Sequence, residues 1–335
     1  AETAFVDTCI ALHEAGAEQH IVTRQHDTRV NRLREAGLPV TTLPFGGACD
    51  FITPIGLRRL IRRYRPAIVQ SWMSRAAHFV PNAGAQDTYL HVARLGNYYK
   101  LKYFKTADAF IAITPMIADY LTRNGCAPER VRRINNFAEI DDDAQALTRG
   151  DFNTPEGAPL LLGLGRLHDD KGFDVLLRAL AGVPGTYLWL AGEGPQREAL
   201  EALAIELGVM DRVRFLGWRN DRGRLLATAD ICVFPSRDEA FGTVFVQAWA
   251  CSTPVIASMA DGPRQFITHD QDGLLVPVDD TQALTQAIDR LIGDPGLQQT
   301  LIDNGYRHYR DAFTRAQTVK AYLAFYNELC ENDTG

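Results

Sequence analysis

Short, unbroken apolar runs alternate along this chain with longer stretches in which apolar residues recur at helical spacing. Such runs, bounded by turn residues, read as strands of a parallel sheet covered on both faces, and the stretches between them as the covering helices. In the first half, helical spacing predicts a helix over 3–16, ending at Gly16. Strands are predicted at 20–23, 37–43, 67–71, 89–94, 109–114 and 131–135, with helices at 57–66 and 115–124 and a loop over 72–78. Doubly wound sheets normally begin with a strand, and none precedes the 3–16 helix. Either an opening strand is missing from the chain or the sheet is irregular there.

Residues 142–159 are polar, carry Gly and Pro and lack periodicity, as a linker does. A second alternating series follows. Strands are predicted at 160–165, 187–191, 213–217, 231–234, 254–257 and 273–277. Helices are predicted from 173, over 196–207, 221–229 and 281–292, and through much of the tail. The expected fold is α/β, with two doubly wound, Rossmann-like domains at 1–141 and 160–313 and a last helical segment, 314–335.

Composition narrows the class. The chain has 335 residues, enough for two cores. No apolar run approaches the ~18 residues of a spanning helix. The six Cys include no C-x-x-C pair, which favours buried free thiols in a reducing compartment over disulfides or zinc. The net charge of −6 hides an asymmetry: residues 1–140 carry 18 Lys and Arg against 12 Asp and Glu, leaving 17 against 29 in the rest. A basic half and an acidic half imply different partners. Within the basic half, Arg58, Arg59, Arg62, Arg63 and Arg65 flank an apolar stripe of Leu57, Leu60, Ile61 and Tyr64. They form either a solvated helix face or a contact for anionic lipid headgroups or an anionic acceptor. Nothing points to nucleic acid.

The candidate chemistry centres on Phe234 to Ala250, F-P-S-R-D-E-A-F-G-T-V-F-V-Q-A-W-A. A strand here turns into a helix, so free amides and a positive helix end converge as a seat for phosphate. Glu239 beside that seat suits neutral hydroxyls, such as those of a sugar, because a carboxylate repels phosphate. A nucleotide-sugar carries both groups. Arg166 and Lys171 share another strand-to-helix turn, from which two cations can grip a diphosphate. Gly163 and Gly165 resemble the start of a dinucleotide fingerprint, but His168 stands at its third glycine. There is no phosphate-binding loop of the G-x-x-x-x-G-K-[ST] type, no cluster with metal-ligand spacing and no nucleophile elbow. In the first half, strand ends offer Arg75, His78, Arg94 and Asn97, any of which could be structural instead.

These segments together carry a resemblance. G-R-L-x-x-x-K-G (165–172), A-G-E-G-P (191–195), V-R-F-L-G (213–217), A-D-I-C-V-F-P-S (229–236), E-A-F-G (239–242) and T-P-V-I-A (253–257) resemble, in content and spacing, the donor domain of retaining glycosyltransferases of family 4. I-A-I-T-P (111–115) and 134–141 match the other domain more loosely. The resemblance implies the GT-B fold, two Rossmann-like domains facing across a cleft, and sugar transfer with retention from a nucleotide-diphosphate sugar. Arg166 and Lys171 would neutralise the diphosphate and Glu239 would hold sugar hydroxyls. Gly165, Gly192, Glu193, Gly217, Phe241, Gly242, Thr243, Val244 and Gln247 would line the donor site. No metal and no cofactor beyond the co-substrate would be required. The expected acceptor is a cell-envelope glycan or glycolipid of lipopolysaccharide type, reached from the inner face of a bacterial cytoplasmic membrane. Two departures stand out. Gln247 occupies the position of the family's second Glu, which binds ribose, and no histidine follows the 89–94 strand. They leave open a catalytically silent nucleotide-sugar binder, and as a further alternative a nucleotide-sugar epimerase or phosphorylase.

Overall fold

The computed structural model describes residues 2–47, 49–83, 88–138, 140 and 145–333. The chain forms two compact units, Ala1–Asn136 with Arg315–Gly335, and Phe137–Thr314.

The first unit runs α1 (Glu2–Glu14), β1 (Ile21–Thr23), α2 (Asp27–Glu35), β2 (Val40–Thr42), α3 (Ile52–Tyr64), β3 (Ile68–Trp72), α4 (Met73–Phe79), β4 (Leu90–Leu95), β5 (Ala109–Ala112), α5 (Pro115–Arg123) and β6 (Val131–Arg133). Its parallel strands form two sheets, β1–β2 and β3-β4-β5-β6, so the single sheet expected here is interrupted. The apolar run of β5 is wholly buried, and β4 buries all but its first residue. Each apolar side chain taken fully from water contributes roughly 1.5–3 kcal/mol.

Two expectations change. Residues 72–78, expected as a loop, are mostly helix: β3 passes into α4 through Met73, whose φ is +65°. The Arg-rich helix begins at Ile52 rather than Leu57, because the Asp50 carboxylate accepts the amides of Ile52 (3.0 Å) and Thr53 (2.9 Å). The hydroxyl of Thr53 adds a third bond at 2.5 Å, and it leads the interactions that hold the Asp50 carboxyl below its ordinary range.

A buried polar cluster crosses the four-stranded sheet. His91 shares hydrogen bonds with Ser71 (2.8 Å) and Thr106 (2.8 Å), so both ring nitrogens are satisfied. Burial lowers its pKa to about 4 and keeps the imidazole neutral at physiological pH.

The second unit runs β7 (Leu160–Leu164), α6 (Phe173–Ala181), β8 (Tyr187–Ala191), α7 (Arg197–Glu206), β9 (Val213–Gly217), α8 (Arg222–Thr228), β10 (Ile231–Phe234), α9 (Thr243–Ala250), β11 (Val255–Ser258), α10 (Pro263–Phe266), β12 (Leu274–Val276), α11 (Thr281–Gly293) and α12 (Pro295–Ala312). The sheet order is β12-β11-β10-β7-β8-β9, all pairs parallel. Every residue of β7, β10 and β11 is buried, as a sheet covered on both faces requires. Leu176, Leu177 and Leu180 of α6 meet Ile288 and Leu291 of α11 in the core.

The segment before β7 is tied to this unit. The Leu147 amide donates to Thr228 (2.7 Å), Arg149 to Asp230 (2.8 Å) and Trp189 to Thr154 (2.9 Å). The boundary expected at 141–142 lies outside the described residues.

The chain returns to the first unit as α13 (Arg315–Asp333). Its Tyr322 and Phe325 pack on Leu12, Val92, Ile111 and Ile134. All six cysteines are free. Only Cys9 and Cys232 are buried, whereas Cys49 is exposed, so burial of the thiols is less general than their apolar neighbours suggest. Among the described residues no helix is long and apolar enough to cross a membrane.

Candidate functional site

The chain order of the six-stranded sheet reverses between β7 and β10. In open parallel sheets a crevice forms beyond the carboxyl ends of the two strands at such a reversal, because their connections leave to opposite faces. The connection after β7 begins at Gly165 and Arg166 and passes through a 3-10 turn, Asp169–Lys171, into α6. The connection after β10 runs from Pro235 to Gly242 and into α9.

The two connections touch at several points. Gly172 sits at φ +63°, and a Cβ there would stand 2.2 Å from the Pro235 carbonyl oxygen, so only glycine permits the approach. Just before it, the Lys171 ammonium donates to the Glu239 carboxylate at 2.5 Å, each side chain being 23% exposed. This partly dehydrated, charge-assisted bond places a cation and a carboxylate side by side at the crevice. Arg166 is exposed and carries no hydrogen bond or ion pair among the described residues.

The start of α9 has no side-chain cap, as is also true of α6, α7, α8 and α10 in this unit. Thr114, Asp280 and Asp294 cap α5, α11 and α12 by accepting amides, whereas Gly242, at φ +96°, gives α9 no side-chain cap. No side chain therefore takes its first amides. Phe241 holds this seat in place, with its ring against Phe266 (5.3 Å), Phe245 (6.0 Å) and Phe313 (6.1 Å). Thr243 and Val244 are half-buried, and Gln247 is buried one turn into the helix.

The β7 and β8 ends are zipped together beyond the strands. Gly165 donates to Ala191 (3.1 Å) and Leu167 to Glu193 (3.0 Å). Gly192 sits so close that a Cβ would stand 1.8 Å from the Gly165 carbonyl oxygen. Glu193 pairs with Arg197 at 2.9 Å and lies beside Gly217 at the end of β9. The sheet edge thus gathers Gly165, Arg166, Lys171, Gly192, Glu193, Gly217, Glu239 and the start of α9.

Arg237 was not legible as part of this edge. Its guanidinium donates to both oxygens of Asp174 (2.8 and 2.7 Å), to Asp279 (2.6 Å) and to the Asp169 carbonyl (2.7 Å). Burial works to raise the Asp174 carboxyl, but the Arg237 hydrogen bonds and charge outweigh it and hold the group below its ordinary range. Asp174 lies 63 residues from Arg237 in sequence, and no local signal links them.

In the first unit, Arg75 and His78 are exposed on α4, with the His78 ring edge-on to Tyr103 at 6.1 Å. Asn97 is exposed and accepts the Tyr98 amide at 2.7 Å. Arg94 is different. It is 1% exposed, lies over the Trp72 ring at 4.0 Å and donates to Asn136 and to the Tyr322 hydroxyl at 3.2 Å. Those contacts tie β4 to β3 and to the C-terminal helix of the same unit. Arg58, Arg59, Arg62 and Arg63 are exposed along α3, opposite the buried Thr53, Leu57 and Ile61. Phe51, Ile52 and Ile55 at its start are 73%, 65% and 60% exposed, an apolar tip leading into the cationic face. Among the described residues, no group of three His, Cys, Asp or Glu side chains could hold a metal ion.

Two family models match successive parts of the chain, dividing it between residues 142 and 145. The family described as "Glycosyl transferases group 1" matches residues 145–308, and "Glycosyltransferase Family 4" matches residues 1–142. A lipopolysaccharide core biosynthesis glycosyltransferase, LpsE of Rhizobium meliloti (strain 1021), is 34% identical over 331 residues, covering 96% of this chain and 94% of the relative. A glycosyltransferase from Rickettsia africae ESF-5 superposes with a TM-score of 0.85 at 18% identity, covering 99% of this chain and 95% of that one. Anabaena Alr3699/HepE in complex with UDP and glucose does so with 0.80 at 20% identity, covering 98% and 95%.

Proposed function

The chain belongs to the group 1 glycosyltransferases, and on that premise we propose that it moves a sugar, with retention, from a nucleotide-diphosphate sugar to a lipopolysaccharide-type glycan. The observation that carries the donor half is the Lys171–Glu239 pair at the switch point, beside a helix start with no side-chain cap. Arg166 and Lys171 would face the diphosphate, the amides from Phe241 to Val244 its distal phosphate, and Glu239 the sugar hydroxyls. Gln247, which can donate as well as accept, would meet the ribose.

The bond from the anomeric carbon to the phosphate oxygen breaks as negative charge grows on the leaving diphosphate. Fixed positive charge lowers the barrier by stabilising that charge where it develops. The acceptor hydroxyl oxygen bonds to the anomeric carbon on the face that the phosphate leaves, and its proton passes to the departing phosphate oxygen. Nucleoside diphosphate and the extended glycan are the products. The cations and the helix start supply the positive charge, so the reaction needs no metal.

The acceptor assignment draws on the lipopolysaccharide core glycosyltransferase that is 34% identical over nearly the whole chain. Arg75, His78 and Asn97, exposed on the first unit, are its candidate contacts. UDP-, GDP- and ADP-sugars incubated with purified lipopolysaccharide core should give release of one nucleoside diphosphate, with the new linkage keeping the donor's anomeric configuration by NMR. An inverted linkage would sink retention. Binding without any turnover, with or without acceptor, would favour the silent binder.

The same acceptor implies work at the inner face of the cytoplasmic membrane. We place α3 on the bilayer, its apolar tip in the headgroup region and its arginines over anionic lipid. Neutralising Arg58, Arg59, Arg62 and Arg63 to Gln should weaken sedimentation with phosphatidylglycerol vesicles about tenfold or more. Indifference to the change would remove the membrane contact.

A further inference from the structure

We infer that Arg237 is the positioning residue for Lys171, an inference that rests on the reading of Lys171 as a diphosphate ligand. Four of the five guanidinium N–H groups are spent on protein acceptors: one on Asp279, one on the Asp169 carbonyl and two on Asp174. A guanidinium so committed does not grip phosphate. What it holds is the turn. The Asp169 carbonyl opens the 3-10 turn that ends at Lys171, and Asp174 lies in the first turn of the helix that follows. The backbone amide of Arg237 adds a bond to the Asp170 carbonyl at 2.8 Å. Arg237 therefore holds Asp169 and Asp170 before Lys171 and Asp174 three residues after it, and Glu239, two residues beyond Arg237, receives the Lys171 ammonium.

One side chain thus sets the spacing between the turn that carries the cation and the connection that carries the carboxylate. Hydrogen bonding to Asp174 and Asp279 raises the Arg237 pKa, so the clamp stays charged throughout the working range. Lysine could not replace it, because a point charge on a flexible stem cannot reach carboxylate, carbonyl and second carboxylate at once.

The test is a double-mutant cycle read by calorimetric titration with UDP, GDP or ADP, whichever the wild type binds. Arg237→Gln should weaken binding about tenfold and Lys171→Ala about thirtyfold, and the double variant should bind no more weakly than Lys171→Ala alone. A residue with a merely structural role would give additive losses in the double variant. With the sugar donor, Arg237→Gln should raise KM more than it lowers kcat, and Arg237→Lys should restore little. If Arg237→Gln does not fold, Asp279→Ala removes one exposed pin and should weaken binding about threefold, again only when Lys171 is present. Additive losses, or unchanged affinity in the Arg237 or Asp279 variant when Lys171→Ala is impaired, would overturn the inference. Unchanged affinity in Lys171→Ala itself, or no binding of any nucleotide, would overturn the reading of Lys171 and the inference with it.

Discussion

Replacing Arg166 and Lys171 together by Ala is expected to weaken nucleoside diphosphate binding about a hundredfold and to slow sugar transfer by about 10³. A hydrogen bond to a charged group contributes about 1.5–3 kcal/mol, and removing a donor aimed at developing charge costs about 10²–10³ in rate. The two residues should not contribute equally. Lys171 is only 23% exposed and fixed by Glu239, whereas Arg166 is open to solvent, where salt screens its charge. Most of the loss should therefore appear in Lys171→Ala alone.

Glu239→Gln provides the contrasting arm. Its carboxylate now holds the ammonium that the diphosphate needs, so neutralising it should leave nucleotide affinity unchanged or improved while transfer falls with the loss of the sugar contact. Titration calorimetry and initial rates on the three variants decide the assignment. If the double variant kept wild-type affinity, the diphosphate would have to sit elsewhere on the sheet edge. If Glu239→Gln lost nucleotide affinity as severely as Lys171→Ala, the carboxylate would be organising the lysine rather than binding the sugar.

Gly192→Ala is expected to abolish donor binding and to lower the melting temperature by about 5–10 °C. Its backbone sits at φ +156°, and the added Cβ would lie 1.8 Å from one backbone atom and 2.8 Å from another of Gly165. Neither is the end of a flexible side chain, so the two connections must separate. Overpacking of this kind costs about 1–3 kcal/mol, to which the backbone strain adds. The displaced segment is the one that carries Arg166, so function should fail before the fold does. Gly157→Ala is the matched control. No atom lies within 4 Å of a Cβ there and no unusual φ is present, so it should shift stability by no more than about 0.5 kcal/mol. A Gly192→Ala protein that bound nucleotide normally would mean that the 165–167 connection can move without consequence.

The local order of this chain was legible because it is written in short-range patterns. An apolar run such as Leu160–Leu164 cannot be left in water, and a Gly-rich turn after it cannot continue the strand. Most of the strands, and the loops that follow those of the second sheet, could therefore be placed from sequence. The same reasoning placed Arg166, Lys171 and Glu239 on connections between a strand end and a helix start, where the structure has them.

What the sequence left undecided depends on residues far apart along the chain. The start of α3 turned on an Asp50 cap just outside the periodic stretch. Arg94 looked available at a strand end, but Tyr322, 228 residues away, and Trp72 bury it. The interrupted first sheet and the Arg237 clamp across three connections are also outcomes of packing. Hydrophobic periodicity reports which face of an element avoids water, and by itself it determined the α/β class and the strand ends that make up the sheet edge. It does not report which distant partner will cover that face or satisfy a charge, and only the tertiary structure decided that.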